Sequence, residues 1–399
     1  MRPSLDVDAR PPVTTVCAVA AIALAVAMGI GRFAFTPLLP LMVRDGSLTQ
    51  SAGPWLAASN YVGYFVGATT ASRLGLSAPL LMRASLAGIV VCTTAMGVLS
   101  GLGPWIFLRF VAGMFSAWTL VATSAWALQH LARAGRMDLS GMVYAGVGLG
   151  IAFVGLFLLG AARPGVPTNQ LWLDLGAVAA LAILAPNLLA GRPANSAPPA
   201  PTTPVAGTPR RYVDLVICYG VLGFGYILPA TFIPALAREV VDDPQMFGLA
   251  WPVFGIAAAL STIATARCAG HANRLRVWAV SHLLMAIGVI LPGLWLAPAA
   301  IAIATLLAGS TFMVATMIGL QEARARAPVN PTPLLGLMTA GFAIGQVAGP
   351  VVSGIIDLLQ QGHIAALDYA LALAASALAC SACYLWRQSH RSPISAEKP

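Results

Sequence analysis

Two arginines lie within long apolar stretches of this 399-residue sequence, where a charge is costly to bury. Arg32 precedes Met42, the predicted end of the first helix, and a rise of 1.5 Å per residue puts it ~15 Å from that end. A charge at this depth in a bilayer costs about 2.5–3.5 kcal/mol on insertion scales and needs a wet cavity, a carboxylate or carbonyl acceptors. A guanidinium suits an anionic group. We expect Arg32 to bind an anionic substrate, the alternative being a bond to carbonyls of a neighbouring broken helix.

Arg109 falls about one and a half turns into the fourth predicted helix, as ~3.6 residues make a turn. A place in the same cavity and snorkelling to the outer interface both stay open for it. No carboxylate is expected at the same depth. The acids lie near predicted helix ends or flank loops: Asp138, Asp174, Asp214, Glu322, Asp357 and Asp368. Two central cations without a central acid favour a small organic anion, and a coupling proton could then travel on the substrate itself.

Further side chains are candidates for the same substrate site. Phe35 follows Arg32 by about one turn, Asn60 and Tyr64 are spaced i, i+4, and helix packing is the alternative for each. The remaining two candidates are Tyr226, which occupies the repeat position of Arg32, and Gln346 in helix 11.

Hinge and gating positions are predicted from proline and from loop arginines. The prolines that would bend helices 1 and 7 near the cavity are Pro37, Pro40, Pro229 and Pro234. Arg73 and Arg267 occupy matching cytoplasmic loops. His130 and His282 are expected at the cytoplasmic interface rather than in a proton relay.

The composition decides which elements carry these residues. The chain is 58% hydrophobic and 9% charged, whereas soluble proteins carry roughly 25% charged residues. Uncharged runs such as Val13–Ile30 and Ala84–Leu108 are apolar on every face, which favours membrane-spanning helices over a β-barrel. The net charge of +9 comes almost wholly from arginines scattered between these runs. We read them as topology signals, and no nucleic-acid partner is expected.

The sequence predicts an all-α integral membrane protein with twelve transmembrane helices in two six-helix bundles. The predicted helices are Thr15–Met42, Gly53–Ala71, Ala78–Leu99, Pro104–Leu131, Leu139–Ala162, Asn169–Leu189, Tyr212–Ala237, Phe247–Ala266, Val277–Leu296, Pro298–Glu322, Pro333–Leu358 and Ile364–Trp386. The domains are a cytoplasmic tail (1–14), an N-terminal bundle (15–190), a proline-rich cytoplasmic linker (191–211), a C-terminal bundle (212–386) and a cytoplasmic tail (387–399).

The arginines orient the predicted bundle. With both termini in the cytoplasm, the opposite side holds only Arg44, Arg163 and Arg238 among the loop arginines. The positive-inside rule therefore predicts cytoplasmic termini, and an even number of spans agrees with it.

The two halves repeat each other at offsets of 194 to 196 residues. The matches are Gly29-Ile-Gly31 with Gly223-Phe-Gly225, Pro40 with Pro234, Arg73 with Arg267, Ala112-Gly113 with Ala308-Gly309, and Gly141, Ala145, Gly146 and Gly150 with Gly336, Ala340, Gly341 and Gly345. Parallel repeats of six helices are typical of transporters that bind substrate between the halves, near the midplane.

The stretch GIGRFAFTPLLPLM at residues 29–42 resembles the helix 1 signature of the YbfB/YjiJ-like branch of the major facilitator superfamily. The resemblance implies two bundles that rock around a cavity lined by helices 1, 4, 7 and 10. Arg109 and Gly113 resemble the helix 4 pattern R-x-x-x-G, whose arginine is often tied to substrate or proton coupling. Ser72 replaces the aspartate of the usual helix 2–3 loop motif. The exporter-like pattern from Gly345 to Pro350 falls in helix 11 rather than helix 5, so it does not indicate export.

The leading prediction is a secondary transporter of a small organic anion in a bacterial inner membrane, functional as a monomer. The alternative within transport is a drug or metabolite exporter with a permissive apolar cavity. An enzyme is not expected, because no cluster of His, Asp or Glu marks one membrane face. No cofactor or metal is expected, and Cys380 and Cys383 are interpreted as small packing residues.

Overall fold

A computed structural model of the chain describes residues 11–163, 165–189, 212–240, 244–270, 272–360 and 363–391. These residues form twelve long helices and no strand, which confirms the predicted all-α fold. In chain order the helices are α1 Val13–Arg44, α2 Gly53–Thr70, α3 Ala78–Val98, α4 Leu102–Arg133, α5 Ser140–Ala161, α6 Thr168–Leu189, α7 Val213–Val240, α8 Pro244–Cys268, α9 Arg274–Leu294, α10 Pro298–Arg326, α11 Thr332–Gln360 and α12 His363–Arg391.

Eleven stretches of the described helices are long and apolar enough to cross a membrane, and α2 is not among them. Helix α2 has the length of a span but carries Asn60, Tyr61 and Tyr64 within it. Asn60 and Tyr64 are buried inside the protein. The polar side chains of α2 therefore face other helices rather than lipid. They lower the mean hydropathy of α2, which explains why it is not among the eleven stretches.

The predicted repeat is visible in how helices pack within each half. Gly150 of α5 lies so close to Ala25 of α1 that an added Cβ would overlap the carbonyl of Ala25. Gly345 of α11 stands in the same relation to Gly220 of α7. Small residues permit this close approach of backbones in membrane helices. Because each glycine and its partner are displaced by the same 195 residues, the two bundles share one packing plan.

Contacts between the halves follow the same two-fold relation. Gly141 of α5 packs against the carbonyl of Thr262 in α8, and Gly336 of α11 packs against the carbonyl of Ala68 in α2. These contacts lie at the helix ends that the arginine distribution assigns to the cytoplasm. The two halves therefore meet closely at that end of the molecule.

Most of the predicted tails and the whole proline-rich linker lie outside the described residues. The ends that are described need small corrections, since α1 begins at Val13 and α12 continues to Arg391. The sequence predicts residues 387–391 in the tail, but they are helical. They stay helical because the α12 end is held by α9, where Asn273 donates to the Ser389 carbonyl at 3.2 Å.

Helix α6 is also less regular than predicted. Its helical hydrogen bonding is interrupted at Ile183, between the segments Thr168–Ala182 and Leu184–Leu189. Pro186 lies just beyond the break and has no N–H to donate to the carbonyl four residues before it. The interruption follows from that missing donor.

Candidate functional site

Helix α1 changes its winding where it carries Arg32. Residues Ala25–Phe33 form a π-helix between two α-helical segments, Val13–Leu24 and Phe35–Arg44. π-Helical segments are rare and occur frequently at functional sites. In this winding the carbonyl of residue i pairs with the N–H of residue i+5, so the carbonyl of Arg32 would need an N–H from Pro37, which has none.

Arg109 supplies the donor that α1 lacks at the Arg32 carbonyl, and it donates to the Gly31 carbonyl as well. It is 3% exposed, and it donates from Nη1 to the Gly31 carbonyl at 3.1 Å and from Nη2 to the Arg32 carbonyl at 3.0 Å. Its guanidinium carbon also lies 4.8 Å from the ring centre of Phe35. Snorkelling to the outer interface is therefore wrong for Arg109. The carbonyl bonds considered as an alternative for Arg32 are made by Arg109 instead.

Arg32 faces the other half of the protein. It is 2% exposed, and its Nη2 donates to Oε1 of Gln346 in α11. Three aromatic rings surround its guanidinium carbon, with centres at 3.7 Å for Tyr64, 5.6 Å for Phe33 and 5.7 Å for Tyr61. Such rings attract a cation through their electron-rich faces. The structure thus brings together Arg32, Tyr64 and Gln346 from three different helices.

Several buried polar atoms of this group have no hydrogen-bond partner among the described residues. They are Nε and Nη1 of Arg32, Nε2 of Gln346, Oδ1 of Asn60, Nε of Arg109 and Oη of Tyr226. No ion pair among the described residues includes Arg32 or Arg109. Buried polar groups are normally paired, so a cluster of unpaired polar atoms beside an uncompensated cation needs an explanation.

Asn60 fixes the helix that carries Arg109. Its Nδ2 donates to the Arg109 carbonyl at 3.0 Å, and both residues are buried. Gly113, one turn further along α4, packs against the Asn60 carbonyl where any side chain would overlap. Asn60 therefore joins α2 to α4, and its contact with Arg109 is through the backbone rather than the guanidinium.

Tyr226 lies in a group of rings contributed by the second half. We call Tyr226, Trp251, Phe254, Phe312 and Phe342 the aromatic cluster. The Tyr226 ring centre lies 4.7 Å from that of Phe312, and 6.2 Å from those of both Phe254 and Phe342. Trp251 stacks on Phe254 at 5.7 Å. Sequence reasoning found Tyr226 but missed the other four members, which come from three further helices.

The predicted hinge and gating residues are spread along the molecule. Pro37 and Pro40 lie in the last α-helical segment of α1, and Pro229 is buried within α7. Arg73 and Arg267 are exposed at the ends of α2 and α8. The side chain of Pro234 lies outside the described part of the chain. Among the five described residues, Pro37 is linked to the group around Arg32, because it has no N–H and leaves the Arg32 carbonyl to Arg109.

His282 is placed differently from the expectation. It is fully buried, accepts a hydrogen bond from Trp278 Nε1 at 2.8 Å and lies 3.1 Å from Ser381 Oγ. These contacts join α9 to α12, so an interfacial position is wrong for His282. The other histidine predicted at the interface, His130, is half-buried and contacts the Trp126 carbonyl at 2.8 Å.

Glu322 is also more buried than a loop-flanking acid. Its carboxylate pairs with Arg274 of α9 at 2.8 Å and with Arg326 at 2.9 Å. Arg326 in turn lies 3.8 Å from the Asp214 carboxylate of α7. This charge network ties three helices of the second half at one end. Glu322 therefore does not take the place of a proton-carrying acid in the middle of the protein.

No group of three or more His, Cys, Asp or Glu side chains within the described ranges is placed to hold a metal ion. The arrangement around Arg32 instead offers hydrogen-bond donors and aromatic surface. Guanidinium and amide donors in a low-dielectric interior bind carboxylates or other oxyanions.

Comparison with known proteins agrees with the fold. A crystal structure of the human organic anion transporter MFSD10 (TETRAN) aligns with a TM-score of 0.70 at 15% identity, over 94% of this chain and 100% of that one. At such low identity the likeness shows the fold alone. The search of curated proteins found no match. A family model described as "Uncharacterised MFS-type transporter YbfB" matches residues 24–385, from within α1 to near the end of α12. The protein therefore belongs to the YbfB-like family of major facilitator superfamily transporters.

Proposed function

We propose that this transporter is a secondary active carrier that works by alternating access and moves a small organic anion. One observation carries the proposal: Arg32 is buried at the junction of the two halves, and its Nε and Nη1 donors have no partner in the described part of the chain. A buried donor without an acceptor costs about 1–3 kcal/mol, and more when it is charged. A carboxylate would accept these hydrogen bonds and neutralise the charge.

The Arg32–Gln346 hydrogen bond suggests how binding and movement are connected. Arg32 belongs to the first half and Gln346 to the second, so a rocking motion that separates the halves must break this bond. Without a substrate, separation would leave a cation in an apolar interior. A bound anion compensates that charge and lowers the barrier to movement of the loaded carrier.

Arg109 stabilises the segment of α1 that carries Arg32. Its two bonds to the carbonyls of Gly31 and Arg32 hold the π-helical segment in place. We propose that Arg109 orients Arg32 and does not itself bind substrate, although its Nε is unpartnered among the described residues.

The coupling ion and the cellular setting are part of the proposal. No described carboxylate pairs with either buried arginine, so a coupling proton would travel on the substrate's own carboxyl group. We place the protein in a bacterial inner membrane with both termini in the cytoplasm, and the scarcity of arginines on one side supports that orientation. Each polypeptide contains both halves of the site, which supports function as a monomer.

The aromatic cluster favours a second candidate, a drug or metabolite exporter with a permissive apolar cavity. Such a compound would find an apolar surface formed by Phe254, Phe312 and Tyr226. A cationic drug would meet an uncompensated arginine there, and repulsion would oppose its binding. Export of neutral compounds is the form of this candidate that the charge allows.

The proposal is tested by uptake into proteoliposomes that contain the purified protein. We expect uptake of radiolabelled propionate or benzoate by the wild type, and a fall of about tenfold or more in Arg32→Gln, because one charge-assisted hydrogen bond is worth about 1.5–3 kcal/mol. Arg163→Gln is the matched control, since Arg163 is exposed. Undiminished anion uptake by Arg32→Gln would refute the proposal, and uptake of neutral drugs without anions would support the second candidate.

A further inference from the structure

The two halves present different chemistry at equivalent positions. Arg32 and Tyr226 are related by the 194-residue offset of the repeat, and both are buried where the halves meet. Asn60 has Phe254 as its counterpart at the same offset. A pseudo-symmetric site that is cationic on one side and aromatic on the other fits an asymmetric ligand better than a small symmetric ion.

The aromatic side is built from four helices around one hydroxyl. Tyr226 of α7 is stacked on Phe312 of α10 with ring planes 18° apart, and on Phe342 of α11 with planes 23° apart. Phe254 of α8 contacts both Tyr226 and Phe312. Tyr226 is fully buried, yet its Oη has no hydrogen-bond partner among the described residues. A buried tyrosine hydroxyl usually finds a partner.

Phe33 connects the cationic and aromatic sides. Its ring centre lies 5.6 Å from the Arg32 guanidinium carbon and 6.4 Å from the ring centres of both Tyr226 and Trp251. Both ring contacts are edge-to-face, an arrangement that aromatic pairs prefer. A single aromatic ring is thus long enough to lie beside Arg32 and touch the cluster at the same time.

We infer that the preferred substrate is an aromatic carboxylate, whose carboxylate is held by Arg32 and Gln346 and whose ring contacts the aromatic cluster. This inference rests on the proposed function and narrows it. The free donors of Arg32 and Nε2 of Gln346 donate hydrogen bonds to the carboxylate oxygens of the substrate. The ring takes edge or face contacts with Tyr226 and Trp251, as Phe33 does. The unpartnered Tyr226 hydroxyl accommodates a polar substituent on the ring.

The test compares two acids of similar size and equal charge, benzoate and cyclohexanecarboxylate, by isothermal titration calorimetry with the purified full-length protein. Wild type is expected to bind benzoate about three- to tenfold more tightly, the range that one good aromatic contact supplies. Benzamide, which keeps the ring and lacks the charge, is expected to bind more weakly than either acid.

A variant shows where the preference arises. Trp251→Leu removes one of the two rings proposed to contact the substrate ring and should bring the ratio of the two affinities close to one. Trp55→Leu is the matched control, because Trp55 is 68% exposed on α2. If Trp251→Leu does not fold, Tyr226→Phe is used instead, with 4-hydroxybenzoate as the probe: loss of the extra affinity of the hydroxylated acid is expected.

The outcomes separate this inference from the proposed function. Equal affinity of wild type for benzoate and cyclohexanecarboxylate overturns the aromatic preference and leaves an anion carrier. A preference that survives Trp251→Leu unchanged also overturns it, because the ring would then bind elsewhere. If neither acid binds, the proposed function itself fails.

Discussion

Replacing Arg109 with lysine tests whether this arginine is a support for α1 or a ligand of the substrate. The two Nη atoms of Arg109 reach two carbonyls, those of Gly31 and Arg32, at 3.1 and 3.0 Å. Lysine keeps the positive charge but has one nitrogen, which cannot occupy both Nη positions. At least one of the two hydrogen bonds is therefore lost in Arg109→Lys.

The size of the effect follows from the buried position of these bonds. A hydrogen bond from a charged donor contributes about 1.5–3 kcal/mol, so the free energy of unfolding should fall by about that amount. Arg109→Ala removes both bonds and leaves the carbonyl of Arg32 without a donor from Pro37 or Arg109, so its loss should be about twice as large. Binding of benzoate should weaken far less in Arg109→Lys than in Arg32→Gln.

The assay is reversible unfolding by sodium dodecyl sulfate in mixed micelles, followed by calorimetric titration of the folded variants with benzoate. Arg163→Lys is the control, because Arg163 is exposed and makes a single 3.3 Å contact with the Gly160 carbonyl. The reasoning is refuted if Arg109→Lys unfolds like the wild type while its affinity for benzoate falls as far as that of Arg32→Gln. Arg109 would then be a ligand of the anion.

Three other predictions follow from named contacts. Gln346→Glu places a carboxylate beside Arg32, so it should raise the free energy of unfolding and abolish benzoate binding in calorimetry; unchanged binding would contradict the shared site. Glu322→Gln removes the charge paired with Arg274 and Arg326 and should lower the free energy of unfolding by about 1.5–3 kcal/mol, with uptake of benzoate retained per folded molecule. Partial burial would raise the pKa of Asp45, but the Thr168 backbone N–H at 2.8 Å and the Arg44 guanidinium outweigh it and hold that pKa below its usual range. The stability that ionised Asp45 adds is therefore present above about pH 4 and is lost as the pH falls through its lowered pKa, so Asp45→Asn should flatten this acid-side loss of stability in unfolding measured against pH.

The fold could be predicted from the sequence because the bilayer restricts the choice so strongly. A chain with 9% charged residues and long apolar runs has to span as helices, and turn residues and arginines mark where each helix ends. Helix bounds were least accurate where tertiary contacts decide them. The α12 end is one such case, since Asn273 and Ser389 extend the helix beyond the apolar run.

The deep position of Arg32 could also be predicted, because a charge is conspicuous against an apolar background. The π-helical winding of α1 could not, although Pro37 lacks the N–H that regular hydrogen bonding would need there. The roles of the two arginines depend on which nitrogen meets which carbonyl. Only the packing of the helices determines these contacts, so the sequence spacing left the role of Arg109 undecided.

The aromatic cluster was the largest omission. Its members are spread over 116 residues, from Tyr226 to Phe342, and each looks like an ordinary packing residue within its own helix. The available signal was the internal repeat, which sets Tyr226 opposite Arg32 and Phe254 opposite Asn60. The interfacial position predicted for His282 was wrong for a similar reason. Its hydrogen-bond partners Trp278 and Ser381, which allow a histidine to be buried, are apparent only in the packed structure.

The most direct test of the central claim is whether an anion stabilises the protein through Arg32. Unfolding of wild type and Arg32→Gln is measured with benzoate, with benzamide and without ligand. A ligand that binds only the folded state at about 100 times its Kd adds about 2.7 kcal/mol. The account predicts a stabilisation of this order for wild type with benzoate, little with benzamide, and none for Arg32→Gln with either. Equal stabilisation of Arg32→Gln and wild type by benzoate would contradict it.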